Sequence, residues 1–342
     1  MHRHSPGRRL TLTGAVAGLL LLAGCGERQT AQPAASAAAS GASAAAVTAQ
    51  PLRVISSFSI LGDVARQIGG EQVQVTDIVG PGQDGHVYQV TPADIRRLRE
   101  AQLVLMNGLG YEGAALERAV RDSQVPLALA SAGIEPLKGG HAHDDGHDHD
   151  HDHGHAHDDK ADGHDAGAPD PHIWQNPVLM QTYAANVAQA LIQADPAHRE
   201  AYEQRLAAYQ QILRELDSWA ETQFAGIPQA QRKVVTGHDA FAYLGQRYQV
   251  SFLAPQGVST DSQPSARTVA ALIAQIRKEQ VKAVFVENIK DPRLVEQISR
   301  EAGVTVQEQP LYSDALSPVD GPANSYVSLM RYNVTQLVQA MR

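Results

Sequence analysis

The chain has 342 residues, 43% of them hydrophobic, and a formal charge of −9 at neutral pH. That length suits two domains with real cores, and the acidic balance argues against a nucleic-acid partner and for a cationic one. A single cysteine, Cys25, excludes an intrachain disulfide and any cysteine-based zinc site.

The amino terminus carries Arg3, Arg8 and Arg9 ahead of an apolar segment, Leu10 to Ala23. This is the layout of a secretory signal peptide over residues 1–24, too short for a comfortable membrane span. Its end, Leu22-Ala23-Gly24-Cys25, resembles a bacterial lipobox. Cys25 is therefore the expected lipid-modified first residue of an exported, periplasmic protein anchored to a bacterial membrane. Residues 25–50 are rich in Ala and Ser without a periodic apolar face, which predicts a flexible tether.

A first α/β domain is expected over residues 51–194. Leu52–Ser56 reads as a strand, Ile60–Ile68 as a helix stopped by Gly69-Gly70, and Val73–Val79 as a strand. A loop over 80–89 leads to a helix opening at Thr91-Pro92-Ala93-Asp94, with Pro in its first turn. Strand Leu103–Met106, helix Glu112–Arg121 and strand Leu127–Ala130 follow. Strand and helix alternate, which implies a parallel sheet with helices on its faces.

Residues 141–165 break this pattern with nine histidines, nine aspartates and one lysine. Such a run cannot bury a core and reads as a disordered loop. Its chemistry is metal capture, because neutral imidazole is a good ligand for zinc, copper and nickel. His141, His143, His147, His149, His151, His153, His155, His157 and His164 are candidate weak auxiliary sites. The tract contributes −8 of the net charge and the signal region +3, so the folded remainder is near −4.

Beyond it, Pro177–Gln193 is helical and Asp195-Pro196 breaks the helix. His198–Phe224 is a long periodic stretch without Gly or Pro, expected to form a helix about 40 Å long within a linking segment, 195–228. A second α/β domain over 229–342 repeats the alternation. Its strands are expected at Val234-Val235, Val250–Leu253, Ala283–Val286 and Val304–Val306. Its helices are expected at Ala240–Tyr248, Ser265–Glu279, Leu294–Ala302 and Asn324–Met341.

Four side chains outside the tract stand out as carriers of chemistry: His86, His172, His238 and Asp314. His86 and His238 follow predicted strands in opposite halves, where ligands of open parallel sheets bind. Three imidazoles and a carboxylate would complete a four-coordinate zinc site. Each histidine taken alone fits a surface or capping role equally well. His198, at a helix start, is assigned that ordinary role.

The chain resembles the metal-specific solute-binding lipoproteins of bacterial ABC importers, the zinc and manganese receptors. The resemblance covers about residues 52–342. It rests on Gly85-His86-Val87-Tyr88-Gln89-Val90-Thr91-Pro92-Ala93-Asp94, Asn107-Gly108-Leu109-Gly110-Tyr111-Glu112, Asp170-Pro171-His172-Ile173-Trp174, Thr236-Gly237-His238-Asp239-Ala240-Phe241, Val286-Glu287-Asn288 and Leu311-Tyr312-Ser313-Asp314-Ala315-Leu316. It implies two lobes, each with a small parallel sheet flanked by helices, joined by one long rigid helix, with the metal in the cleft between them. It places the metal ligands on His86, His172, His238 and Asp314. It also implies a permease and its ATPase as partners, and a monomeric receptor.

Manganese receptors of this kind often carry a carboxylate where this chain has His238, and a His-rich loop before the second ligand is common among the zinc receptors. Imidazole suits zinc, and hard oxygen ligands suit manganese. Zinc is the expected cargo, with manganese or iron as alternatives. The chain departs from some zinc receptors in having Asp314 and no cysteine pair. Glu287, Asp239 and Glu112 are candidates for orienting a ligand from behind. A zinc hydrolase, which needs an open coordination position for water, and a zinc-buffering lipoprotein without a transporter are the competing readings.

Overall fold

The computed structural model describes residues 50–139 and 167–342. The expected signal segment, Cys25 and the nine histidines of the His/Asp tract lie outside the described residues. Ala49–Arg342 is one compact unit. No described helix is long and apolar enough to cross a membrane.

Its first half runs β1 (Leu52–Phe58), α1 (Ser59–Gly69), β2 (Val73–Val79), α2 (Pro92–Glu100), β3 (Leu103–Met106), α3 (Ala114–Ser123), β4 (Leu127–Leu129) and α4 (Pro177–Ala194). The strands form a parallel sheet in the order β2-β1-β3-β4. β1 lies inside it, pairing Val54 with Val75 on one side and with Leu103 on the other. Apart from Arg53 its residues are buried on both faces, Ser56 and Ser57 included, where a half-exposed strand would alternate. α2 starts where its sequence says it should. Thr91 accepts from the amide of Asp94, Asp94 accepts from the amide of Thr91, and Pro92 occupies the first turn.

The second half comprises α5 (Arg199–Ala225), β5 (Lys233–Val235), α6 (Ala242–Tyr248), β6 (Ser251–Leu253), α7 (Ala266–Glu279), β7 (Ala283–Val284), α8 (Arg293–Ala302) and α9 (Tyr326–Met341). Its parallel sheet has the order β6-β5-β7. In each sheet the strand order reverses around one central strand, β1 or β5. The crevice at that strand's carboxyl end is where side chains from neighbouring loops can converge.

α5 has 27 residues, about 40 Å of helix. Its buried stripe, Tyr202, Tyr209, Leu213, Leu216, Ala220 and Phe224, follows helical periodicity. Near one end Arg205 donates to the carbonyls of Ile68 and Gly69. Near the other Arg247 of α6 grips Asp217 through two hydrogen bonds, and Phe224 stacks on Tyr248 at 5.2 Å. The helix thus spans both halves. The main core runs from β1 through α4 and α5 to Tyr243 and α9. A smaller core, including Val235, Leu272, Ile276, Val284 and Ile298, belongs to the second sheet with α7 and α8.

Two expected elements are corrected. Val304–Val306 is no strand; only Val306 bridges to Val284. Its partner β7 has two residues where four were expected, too few to template a further strand. Asp314 instead follows a single bridge between Glu287 and Leu311. α3 begins at Ala114 and not at Glu112. The Glu112 carboxylate is turned inward to accept from Ser57 Oγ and the amides of Asn107 and Gly108, so Gly113 becomes the helix cap.

Candidate metal centre

His86 stands on the loop after β2, His172 just before α4, His238 three residues past β5, and Asp314 on the loop before α9. One ligand atom from each lies within 4.8 Å of all the others. His86 Nε2 is 3.4 Å from His172 Nε2 and 3.4 Å from Asp314 Oδ2. His172 Nε2 is 3.6 Å from Asp314 Oδ1, and His238 Nε2 is 3.3 Å from Asp314 Oδ2. Good hydrogen bonds are shorter, about 2.7–3.2 Å. The edge of a tetrahedron with metal–ligand bonds of 2.0–2.2 Å is roughly 3.3–3.6 Å. The spacing therefore suits four donors around one ion better than donors bonding one another. Both Asp314 carboxylate oxygens are buried and face the three imidazoles at 3.3–3.6 Å, beyond good hydrogen-bond distance, an arrangement that is costly unless a cation meets them.

Two of the rings are fixed from behind. Asp170 Oδ1 lies 2.7 Å from His172 Nδ1 and also accepts from the His172 amide at 2.9 Å. Glu287 Oε2 lies 2.6 Å from His238 Nδ1, while its Oε1 accepts from the amides of Gly237 and His238. A carboxylate at Nδ1 holds the proton there and turns the Nε2 lone pair towards the ion. Glu287 was one of the three candidates for orienting a ligand, and it lies against His238. Asp170 was not singled out, although an acid two residues before a histidine was a visible signal for it. Glu112 does not reach a ring. It holds the Gly108-Leu109-Gly110 turn, whose three residues all have positive φ, and Leu109 there is strained. Asn107 at the head of that turn donates to the Pro171 carbonyl next to His172. Asp239 is buried beside His238, and its amide donates to the Gly257 carbonyl.

The Asp314 loop is tied to the first half through its backbone. Trp174 Nε1 and Gln175 Nε2 donate to the Ser313 carbonyl, and Tyr111 Oη donates to that of Asp314. Tyr111 also packs edge-on against His86, ring centroids 4.8 Å apart.

Burial and charge set the protonation states. Burial lowers the pKa of His86. Burial also pulls on His238, but Glu287 and Asp314 outweigh it and hold that imidazole well above its ordinary value. Burial would raise Asp314, yet the neighbouring imidazoles, His238 foremost, keep its carboxyl well below the usual range. The metal-free centre thus holds an ionised carboxylate beside a protonated imidazole.

The family model for the periplasmic component A of the zinc-uptake complex matches residues 54–340. The iron-binding protein YfeA of Yersinia pestis is 30% identical over 292 residues, covering 85% of this chain and 87% of its own. The manganese-binding lipoprotein MntA of Bacillus subtilis is 30% identical over 305 residues, covering 86% and 90%. Among solved structures, the periplasmic zinc-binding protein TroA of Treponema pallidum superposes with a TM-score of 0.74 at 26% identity, covering 86% of this chain and 99% of that one. A manganese-bound periplasmic metal-binding protein of Candidatus Liberibacter asiaticus gives 0.70 at 27% identity, covering 85% and 100%.

Proposed function

The chain belongs to the family of periplasmic zinc-uptake components, metal-binding substrate receptors of ABC importers and not enzymes, and from that premise we propose that it captures one zinc ion on His86, His172, His238 and Asp314 and delivers it to a membrane permease. The observation that carries this reading is the buried cluster of three imidazoles and a carboxylate, with one ligand atom from each within 4.8 Å of all the others. Three imidazoles favour zinc over harder ions. Four protein donors also leave no vertex for a hydrolytic water, which speaks against the hydrolase reading. The protein acts outside the inner membrane, anchored through Cys25. Residues 141–165 add loose auxiliary sites that raise the local zinc concentration.

A second reading, a manganese or iron receptor, draws support from the relatives named for those metals. Metal analysis and competition titration of the full chain and its single alanine variants separate the two. One tight zinc equivalent is expected in the unmodified protein, lost on His172→Ala or His238→Ala. Tighter retention of manganese or iron than of zinc would favour the second reading. Unchanged zinc affinity in His172→Ala would overturn the ligand set.

A further inference from the structure

The four proposed ligands are held unequally. His172 and His238 each carry a carboxylate at Nδ1, and the Asp314 loop is bound through its own carbonyls. His86 Nδ1 is buried and has no hydrogen-bond partner. His86 is also the proposed ligand least covered, its side chain 2% exposed against 0% for the other three. An ion enclosed by these groups leaves most easily past His86, by movement of its loop.

That loop is joined to the second half by one backbone bond at its far end, from the Gly82 amide to the Leu316 carbonyl at 3.0 Å, and beside His86 it is clasped by side chains. Asp84 Oδ1 accepts from the His86 amide at 3.0 Å, and Asp84 Oδ2 accepts from Thr260 Oγ at 2.6 Å. Lys290 Nζ lies 4.0 Å from the same carboxylate oxygen and donates to the Thr260 carbonyl at 3.4 Å. Thr260 is buried, and the side chains of Asp84 and Lys290 are only 12% and 17% exposed, so water competes weakly for these bonds. Thr260 lies in the loop before α7 and Lys290 in the loop before α8, which is the part of the second half that has its own small core. The bonds on the Asp314 side end on backbone atoms and a shared apolar core. The clasp joins side chains of three loops and can let go without unfolding any of them.

We infer that the Asp84–Thr260–Lys290 clasp is the release latch of the receptor, setting how fast the bound metal escapes past His86. The inference rests on the proposed ligand set, and the three residues act by positioning the His86 loop, without touching the ion. A hydrogen bond to a charged acceptor is strong enough that its loss should speed release about tenfold or more.

The test is stopped-flow zinc release from the loaded full chain into excess chelator, alongside association rates. Thr260→Val keeps the shape and removes the hydroxyl. It should accelerate release about tenfold or more while association and melting temperature stay close to the unmodified protein. Thr260→Ser restores the hydroxyl and should return the slow rate. Lys290→Met removes the second arm and should also accelerate release. Release from Thr260→Val at the unmodified rate would overturn the latch. So would a Thr260→Ser variant as fast as Thr260→Val. Failure of the unmodified chain to retain zinc would instead overturn the ligand set on which the inference rests.

Discussion

Zinc binding at the proposed centre should expel about one proton at neutral pH. In the metal-free centre His238 lies between Glu287, 2.6 Å from Nδ1, and Asp314, 3.3 Å from Nε2. Burial resists charging the ring, but the two carboxylates prevail and raise its pKa well above the ordinary 6.5. At pH 7 both ring nitrogens are protonated, and a metal ion can take Nε2 only by displacing its proton. His86, with its lowered pKa, has no proton to give there. Linkage then fixes the size of the effect. One proton released per ion makes affinity change tenfold, about 1.4 kcal/mol, for each pH unit. That slope should hold from about pH 6.5 up to the folded pKa of His238. The metal-free fold responds in the opposite sense. A raised folded pKa contributes stability that is fully present below the unfolded imidazole value and lost as pH rises through the folded one. Titration calorimetry in buffers of different ionisation enthalpy counts the protons directly. Glu287→Gln removes the largest influence raising His238, so its proton count at pH 7 should fall towards zero. Its affinity should also drop about 10–100-fold because Nδ1 loses its anchor. If the unmodified protein releases no proton at pH 7, the electrostatic account of the centre is wrong.

Asp170→Asn should weaken zinc binding about 10–100-fold, since the neutral amide orients His172 less firmly; competition with a chromogenic chelator reads the loss. Gly113→Ala should also weaken it, because a Cβ there would stand 2.7 Å from the His86 carbonyl oxygen. The variant's melting temperature without metal should change less than its zinc affinity. Deleting residues 141–165 should lower total zinc stoichiometry and leave one tight equivalent in equilibrium dialysis. Loss of that equivalent would make the tract part of the primary centre.

The strands and helices of the first half are legible in the sequence because each carries its own local signal: the apolar run of β1, the capping box at Thr91, the Pro-led start of α4. The second half is less so. Val304–Val306 has strand composition, but whether it extends a sheet depends on the length of β7, which no local pattern encodes. The proposed ligand residues stand out because each sits in a distinctive short segment. What fixes them is a different matter. Asp170 lies two residues from His172 and could have been found by inspection. Glu287 is 49 residues from His238, and strand placement pointed to it only as a candidate.

Residues far apart in the chain decide how the centre works. Thr260 and Asp84 are 176 residues apart, and neither lies in a segment whose composition announces a role. Their bond exists because the crevices at β1 and β5 open towards each other, carrying the loops after β2 and before α7 to one rim. Local signals therefore identify what the centre can hold, since that depends on donor type. How firmly it holds depends on how each loop is tied next to its ligand. Three donors are fastened and one loop is latched, an arrangement suited to a receptor that must keep its ion in solution and release it on demand.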